Sequence, residues 1–123
     1  MCGFAGIIGN GSCEMSILEN MINTLHHRGP DSLGFWFDDT NQVGLSFARL
    51  SILDLSSAGS QPMKSNNGKY IIVYNGEVYN HLDLRNEIYN CNFSYNWKGH
   101  SDTETLLAGF EIWGIEKTIQ KTV

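Results

Sequence analysis

Apolar and polar residues change period several times along this chain, and each change marks an element. Gly3–Ile8 is a run of small and apolar side chains, a strand that stops at the Asn10-Gly11 turn signal. Ile17, Leu18, Met21, Ile22 and Leu25 then recur at helical spacing, behind Ser16 and Glu19 at capping-box distance. That helix must end before Arg28-Gly29-Pro30, since glycine and proline both disfavour its continuation. Residues 34–37 and 43–50 read as two strands around a polar loop at 38–42. From 54 to 69, Ser, Gly, Asn and Pro62 predict loop.

Residues 70–74, Tyr-Ile-Ile-Val-Tyr, form an unbroken apolar run, which predicts a strand covered on both faces within a layered structure. Asn80 is placed to cap a helix with Asp83 at its third position and Leu84 and Ile88 inward. Ser101 and Glu104 repeat the capping-box spacing ahead of Leu106, Leu107, Phe110 and Trp113, and Gly114 ends that helix. Helices alternating irregularly with paired strands predict an α+β fold with sheet layers under helices.

Composition narrows the class. A chain of 123 residues, 41% hydrophobic and 17% charged, is an ordinary globular domain rather than a disordered segment. Without internal repeats or a low-complexity linker, residues 1–123 read as one domain. A net charge of −5 leaves no basic stripe for nucleic acid. No apolar run approaches the roughly eighteen residues of a membrane span, and no basic start with an apolar core marks a signal peptide. Cys2, Cys13 and Cys91 are odd in number and widely spaced, which predicts reduced thiols in the cytoplasm.

Five places could carry chemistry. Cys2 follows Met1, which aminopeptidases remove before so small a side chain. The mature chain would then start with a residue bearing both a thiol and an α-amine. Such an amine can serve as the general base for the thiol. The plain alternative is a small apolar start to a buried strand. Arg49 keeps the parity of Val43, Leu45 and Phe47, so a straight strand points it to their apolar side, where its fork would need a carboxylate. On pattern alone, an arginine leaving the strand end into solvent, or pairing nearby, is the commoner arrangement.

Asn75-Gly76 is by default a hairpin turn, although Glu77-Val78-Tyr79-Asn80 is short for a returning strand. Its other use is an amide side chain and a backbone N–H aimed at a developing oxyanion. Asp102 suits the first turn of a helix by the dipole alone, or a substrate ammonium group. His27-Arg28-Gly29-Pro30-Asp31 is a charged, turn-rich loop, more often structural than catalytic. No metal is expected, since Cys2, Cys13, Cys91, His26, His27, His81 and His100 lack ligand-pair spacing.

Taken together, Met1-Cys2-Gly3, His27-Arg28-Gly29-Pro30-Asp31, Arg49-Leu50-Ser51-Ile52, Gln61-Pro62-Met63, Tyr74-Asn75-Gly76-Glu77-Val78-Tyr79-Asn80 and Ser101-Asp102-Thr103-Glu104 closely resemble the class II glutamine amidotransferase domain. The branch most similar is glutamine-hydrolysing asparagine synthetase, and the resemblance runs through Gly114. It implies a four-layer αββα sandwich of the N-terminal-nucleophile hydrolase type. It also implies a glutaminase in which Cys2 attacks the glutamine carboxamide, with Asn75 and Gly76 as oxyanion donors. Arg49 matches the residue that grips the α-carboxylate and Asp102 the one that binds the α-ammonium. Glu77 and the backbone of Leu50, Ser51, Ile52 and Leu53 complete the pocket.

In such enzymes ammonia passes to a synthetase domain that uses ATP and Mg2+, so this part needs no cofactor of its own. Nothing here resembles the Ser-Gly-Gly loop of that domain, and the chain stops where relatives continue. A truncated sandwich with unpaired edges and an uncovered apolar face is the resulting expectation. The partners implied are glutamine and the synthetase domain, and a homodimer is left open. Phe47-Ala48 stands where relatives often carry histidine and another polar residue, which should alter packing rather than chemistry. With Met1 still attached, the amine is tied up and the form should be inactive. A uronic-acid-amidating relative and a non-catalytic glutamine-binding module remain alternatives.

Overall fold

A computed structural model describes residues 2–9, 14–51 and 57–123. The Asn10-Gly11 turn, Cys13, Ile52, Leu53 and Asp54 lie outside the described residues. The chain divides into two compact units, a mixture of helices and small antiparallel sheets. The first takes in the described residues of Met1–Ile52 with Ser60–Pro62 and Val73–Asn75. The second takes in those of Leu53–Gly59 with Met63–Ile72 and Gly76–Val123.

In the first unit, β1 (Gly3–Ile8), β2 (Ser32–Asp38) and β3 (Val43–Arg49) form an antiparallel sheet in the order β1-β3-β2. β1 matches its expected span, while β2 runs further at both ends and β3 stops one residue early. The Asp38 carboxylate accepts from the Asn41 side-chain amide at 2.7 Å and its backbone N–H at 3.1 Å. Those bonds hold the Asp38 carboxyl below the usual carboxylate range and shape the β2–β3 turn.

The two faces of β3 differ in volume. Gly44, Ser46 and Ala48 form the small face, and α1 (Met15–Asn23) packs against β1 and β3 with Leu18 and Ile22 fully buried. Gly3 pairs with Ala48 on that face, and a Cβ there would stand 3.1 Å from the Leu25 Cβ. Ile17 and Met21 stay exposed, so the buried stripe of α1 is narrower than the periodicity predicted. The capping box at Ser16 is not made. Ser16 lies inside the helix, Glu14 holds the N-cap position, and the Ser16 hydroxyl donates to the Glu14 carboxylate at 3.4 Å. The other face of β3 carries Leu45, Phe47 and Arg49; beyond it on β1, Phe4 and Ile8 are exposed.

A short 3₁₀ turn, His26–Arg28, ends at Gly29. A Cβ on Gly29 would run into the Ala48 carbonyl, so only glycine lets this loop lie on the β3 backbone.

In the second unit, β4 (Met63–Lys64) pairs antiparallel with β5 (Ile71–Ile72). Here the expectation of a doubly covered strand over 70–74 fails, because only two residues pair and all five are half-buried. Its one ladder partner among the described residues is β4, which falls where loop was expected. The turn between them is closed by the Ser65 hydroxyl, which donates to Asn67 Oδ1 at 2.9 Å and accepts from the Tyr70 N–H at 3.0 Å.

α2 (His81–Asn90), α3 (Asp102–Trp113) and α4 (Ile115–Lys121) complete the second unit. Leu84 and Ile88 point inward as expected. Asn80 does not cap α2. Its amide donates to the Lys121 carbonyl at 2.8 Å and accepts from the Val123 N–H at 3.0 Å, satisfying a carbonyl at the end of α4 instead. Ser101 does cap α3, accepting from the Glu104 N–H at 3.2 Å, and α3 ends at Gly114. Glu104 leaves its half of the box unmade and bonds the preceding loop. α4, which no sequence signal announced, follows at once.

The core of this unit gathers Ile88, Tyr95 and Ala108, flanked by Trp97, Ile112 and Trp113. Burial pushes the Tyr95 phenol up to about 12 from 10.0, with Glu111 and Glu104 adding to the rise. Neutral Tyr95 therefore stabilises the fold below pH 10, and that contribution is lost as pH rises through about 12. Between pH 9 and 11, wild type should lose about 1.4 kcal/mol more than Tyr95→Phe in urea unfolding. Gly29→Ala should cost about 2–3 kcal/mol by the same measurement, because the Ala48 carbonyl belongs to the central strand and cannot yield.

Candidate active site

The register Gly3↔Ala48, carried one residue further, sets Cys2 against Arg49. The half-buried Cys2 Sγ accepts the Leu50 N–H at 3.3 Å, and its thiol donates to the Leu50 carbonyl at 3.6 Å. The two contacts to one residue fix the orientation of the Cys2 side chain. Arg28 Nε donates to the Cys2 carbonyl at 3.1 Å. Across β3, the Asp31 N–H donates to the Arg49 carbonyl at 3.0 Å, and Asp31 Oδ2 accepts from the Ser51 N–H at 2.7 Å. The His27–Asp31 loop thus acts structurally, bracing residues 49–51 from one side and Cys2 from the other.

Arg49 is buried, with 8% exposure, on the side that strand parity indicated and not out in solvent, the commoner arrangement on pattern alone. Phe47 and Ala48 are buried as well. Gly34 pairs with Phe47, and a Cβ at Gly34 would collide with the Gln61 carbonyl. Residues 60–62 therefore lie on the face that carries Phe47 and Arg49, away from α1. Gln61, 9% exposed, bonds Tyr74 twice: Oε1 accepts from its N–H at 2.6 Å and Nε2 donates to its carbonyl at 3.2 Å. Asn75 follows and is exposed. No described strand after Gly76 pairs with β5, so Asn75-Gly76 is not a hairpin turn.

Gly76, Glu77 and Asp102 belong to the second unit, whereas Cys2, Arg49, Leu50, Ser51 and Asn75 belong to the first. Gly76 and Glu77 are exposed. Asp102 opens α3, where the helix dipole favours its charge. Its Oδ2 accepts from the Val78 N–H at 2.9 Å and its Oδ1 from the Thr103 N–H at 2.8 Å.

The loop before Asp102 is held by a partly buried ion pair. The Arg85 guanidinium lies over Trp97, 3.9 Å from the ring centroid, and reaches Glu104 at 3.4 Å. It also donates to Thr105 Oγ1 at 2.8 Å and to the carbonyls of Gly99 and Ser101 at 3.0 Å each. Glu104, 3% exposed, accepts from the Lys98 N–H at 2.7 Å and the Gly99 N–H at 3.0 Å. Burial lowers the Arg85 pKa, and Glu104 counters it. Sequence reasoning assigned Arg85 no role and used Glu104 only as a cap residue. The available signal was an arginine at helical spacing between inward-facing Leu84 and Ile88.

Ile52 and Leu53, also expected at the pocket, lie outside the described residues. Among the described residues no cluster of His, Cys, Asp or Glu could hold a metal ion. No helix among them is long and apolar enough to cross a membrane.

Residues 1–123 match the family described as the glutamine amidotransferase domain. The chain is 37% identical over 115 residues to asparagine synthetase [glutamine-hydrolyzing] 1 of Bacillus subtilis, covering 89% of this chain and 17% of that protein. It is 38% identical over 120 residues to asparagine synthetase [glutamine-hydrolyzing] 2 of the same organism, with 94% and 15% covered. To amidase chry2 of Gibberella zeae it is 33% identical over 127 residues, with 94% and 18% covered. It therefore spans between 15% and 18% of the length of these relatives. With a match over its whole length, this chain belongs to the glutamine amidotransferase domain family.

Proposed function

We propose that this chain hydrolyses glutamine to glutamate and ammonia, with Cys2 as the nucleophile once Met1 is removed. The observation that carries the reading is the Cys2 thiol held against the Leu50 main chain, next to buried Arg49. The Cys2 α-amine takes the thiol proton, and sulfur bonds to the carboxamide carbon of glutamine. The Asn75 side chain and the Gly76 N–H hold the oxygen as it becomes negative. The amine returns the proton to nitrogen, the C–N bond breaks, and ammonia leaves a thioester. Water then hydrolyses the thioester to glutamate and free thiol.

Arg49 holds the substrate α-carboxylate by its fork, and Asp102 holds the α-ammonium. Glu77 and the backbone of Leu50, Ser51, Ile52 and Leu53 complete the pocket. The fold to which these elements belong is, in this reading, the four-layer αββα sandwich. The ammonia serves an ATP- and Mg2+-dependent synthetase domain acting in the cytoplasm, and aspartate is the acceptor that the relatives' names favour. Amidase chry2 shows that a different name also attaches to this kind of domain, so a different carboxylate is the second reading of the acceptor.

Intact mass should show a chain lacking Met1, and that form should release glutamate from glutamine while Cys2→Ala does not. Glutamate release by Cys2→Ala at the wild-type rate would sink the assignment. Arg49→Lys keeps the charge but loses the fork, so KM for glutamine should rise about 10–100-fold in steady-state assays. Asp102→Asn should erase the preference for glutamine over its deamino analogue, glutaramate, because the charge that selects the α-ammonium is gone. An undiminished preference would remove Asp102 from the pocket.

A further inference from the structure

The sequence singled out Gln61-Pro62-Met63 without giving Gln61 any task. We propose that Gln61 is a positioning residue for oxyanion stabilisation, acting on Asn75 through the main chain of Tyr74. The inference rests on the glutaminase reading above, and specifically on Asn75 as an oxyanion donor.

A primary carboxamide carries an acceptor oxygen and a donor nitrogen side by side, the complement of the N–H and C=O that one residue presents to an antiparallel partner. β5 ends at Ile72, so Tyr74 lies beyond its ladder. There the Gln61 side chain supplies the pairing: Oε1 takes the Tyr74 N–H at 2.6 Å and Nε2 gives to the Tyr74 carbonyl at 3.2 Å. Two bonds to one residue fix its orientation as well as its place. Asn75 is the next residue, and its backbone direction follows from the peptide plane that Gln61 holds.

Gln61 is itself anchored. It is 9% exposed, and its carbonyl rests where only a glycine at position 34 leaves room. Gly34 lies in β2 and pairs with Phe47 of β3, two residues before Arg49. A chain of contacts therefore runs from the sheet that orders Cys2 and Arg49, through Gly34 and Gln61, to Tyr74 and Asn75. All of it lies within the first unit. An oxyanion donor must reach its target within about 2.7–3.1 Å, so a small misplacement of Asn75 costs rate without abolishing binding.

The test is a double-mutant cycle on glutaminase turnover of the Met1-free protein, with Gln61→Met and Asn75→Ala. Asn75→Ala should lower kcat about 100–1000-fold, and Gln61→Met about tenfold, with KM shifted far less than kcat. The double variant should be no slower than Asn75→Ala alone, since Gln61 has nothing left to position. Losses that multiply in the double variant, or wild-type kcat in Gln61→Met, overturn the inference while leaving the glutaminase reading intact. Wild-type kcat in Asn75→Ala, with Cys2→Ala inactive, overturns the oxyanion assignment and the inference with it. Should Gln61→Met melt below the assay temperature, Gln61→Glu enters the cycle in its place. It keeps the shape and the acceptor but loses the donor. Its kcat should fall in the same non-additive way, and an additive fall overturns the inference.

Discussion

Everything around Cys2 depends on the register of β3 between its two neighbours. Gly3 faces Ala48 and Ser32 faces Arg49, which sets Cys2 against Arg49 with its sulfur on the Leu50 main chain, and puts the Arg49 side chain away from α1. A slip of one residue would exchange the two faces of the strand. Leu45, Phe47 and Arg49 would then press into a surface shaped by Gly44, Ser46 and Ala48 for a closely packed helix. Leu18 and Ile22, already fully buried, leave no volume for them. Side-chain size thus enforces the pairing, and the pairing places the thiol. Gly29 and Gly34 extend the same logic, each omitting a Cβ so that a loop can settle on the sheet backbone.

The second unit solves its positioning problem with charge. Arg85 and Glu104 are both largely withdrawn from water, a costly arrangement for ions that must be offset by partners. Here nearly every polar direction is used. Arg85 serves two carbonyls, a hydroxyl and a carboxylate while its flat face lies on Trp97. Glu104 receives two backbone N–H groups besides. Removing one partner of such a pair costs about 3–5 kcal/mol, because the other charge stays buried. The loop from Lys98 to Ser101 is consequently rigid where it feeds into α3, and Asp102 inherits that rigidity.

What was legible in the sequence followed periodicity. Gly3–Ile8, the paired strands on either side of 38–42 and the inward Leu84 and Ile88 were readable because a repeating face leaves a repeating pattern. Parity pointed Arg49 to the apolar side, but a strand-end arginine more often leaves into solvent, so its burial was only half readable. Capping was less so, because it is a local competition that a distant acceptor can win. Asn80 goes to the end of α4, and the α1 start moves ahead of Ser16. The 70–74 run misled because apolar content reports what can be covered, not how many strands arrive to cover it. Gln61 reaches the main chain by two bonds to Tyr74 and Arg85 by bonds to two carbonyls, contacts that have no period at all.

Asp102 combines a structural duty with its proposed chemical one, and the arithmetic of lone pairs permits both. An ionised carboxylate offers about four acceptor sites. The Val78 N–H takes one on Oδ2, and the Thr103 N–H and hydroxyl take two on Oδ1, which leaves a site on Oδ2. The bond to Val78 does more than satisfy a donor. It fixes the carboxylate before substrate arrives and ties down the stretch that begins with Gly76 and Glu77. An ammonium group arriving there meets an acceptor whose rotamer is already chosen, so little conformational entropy is lost on binding. A serine cap one residue earlier and a partly buried ion pair behind the loop hold the helix start itself. Selectivity for an α-ammonium can then come from a side chain that the fold would need in that position in any case.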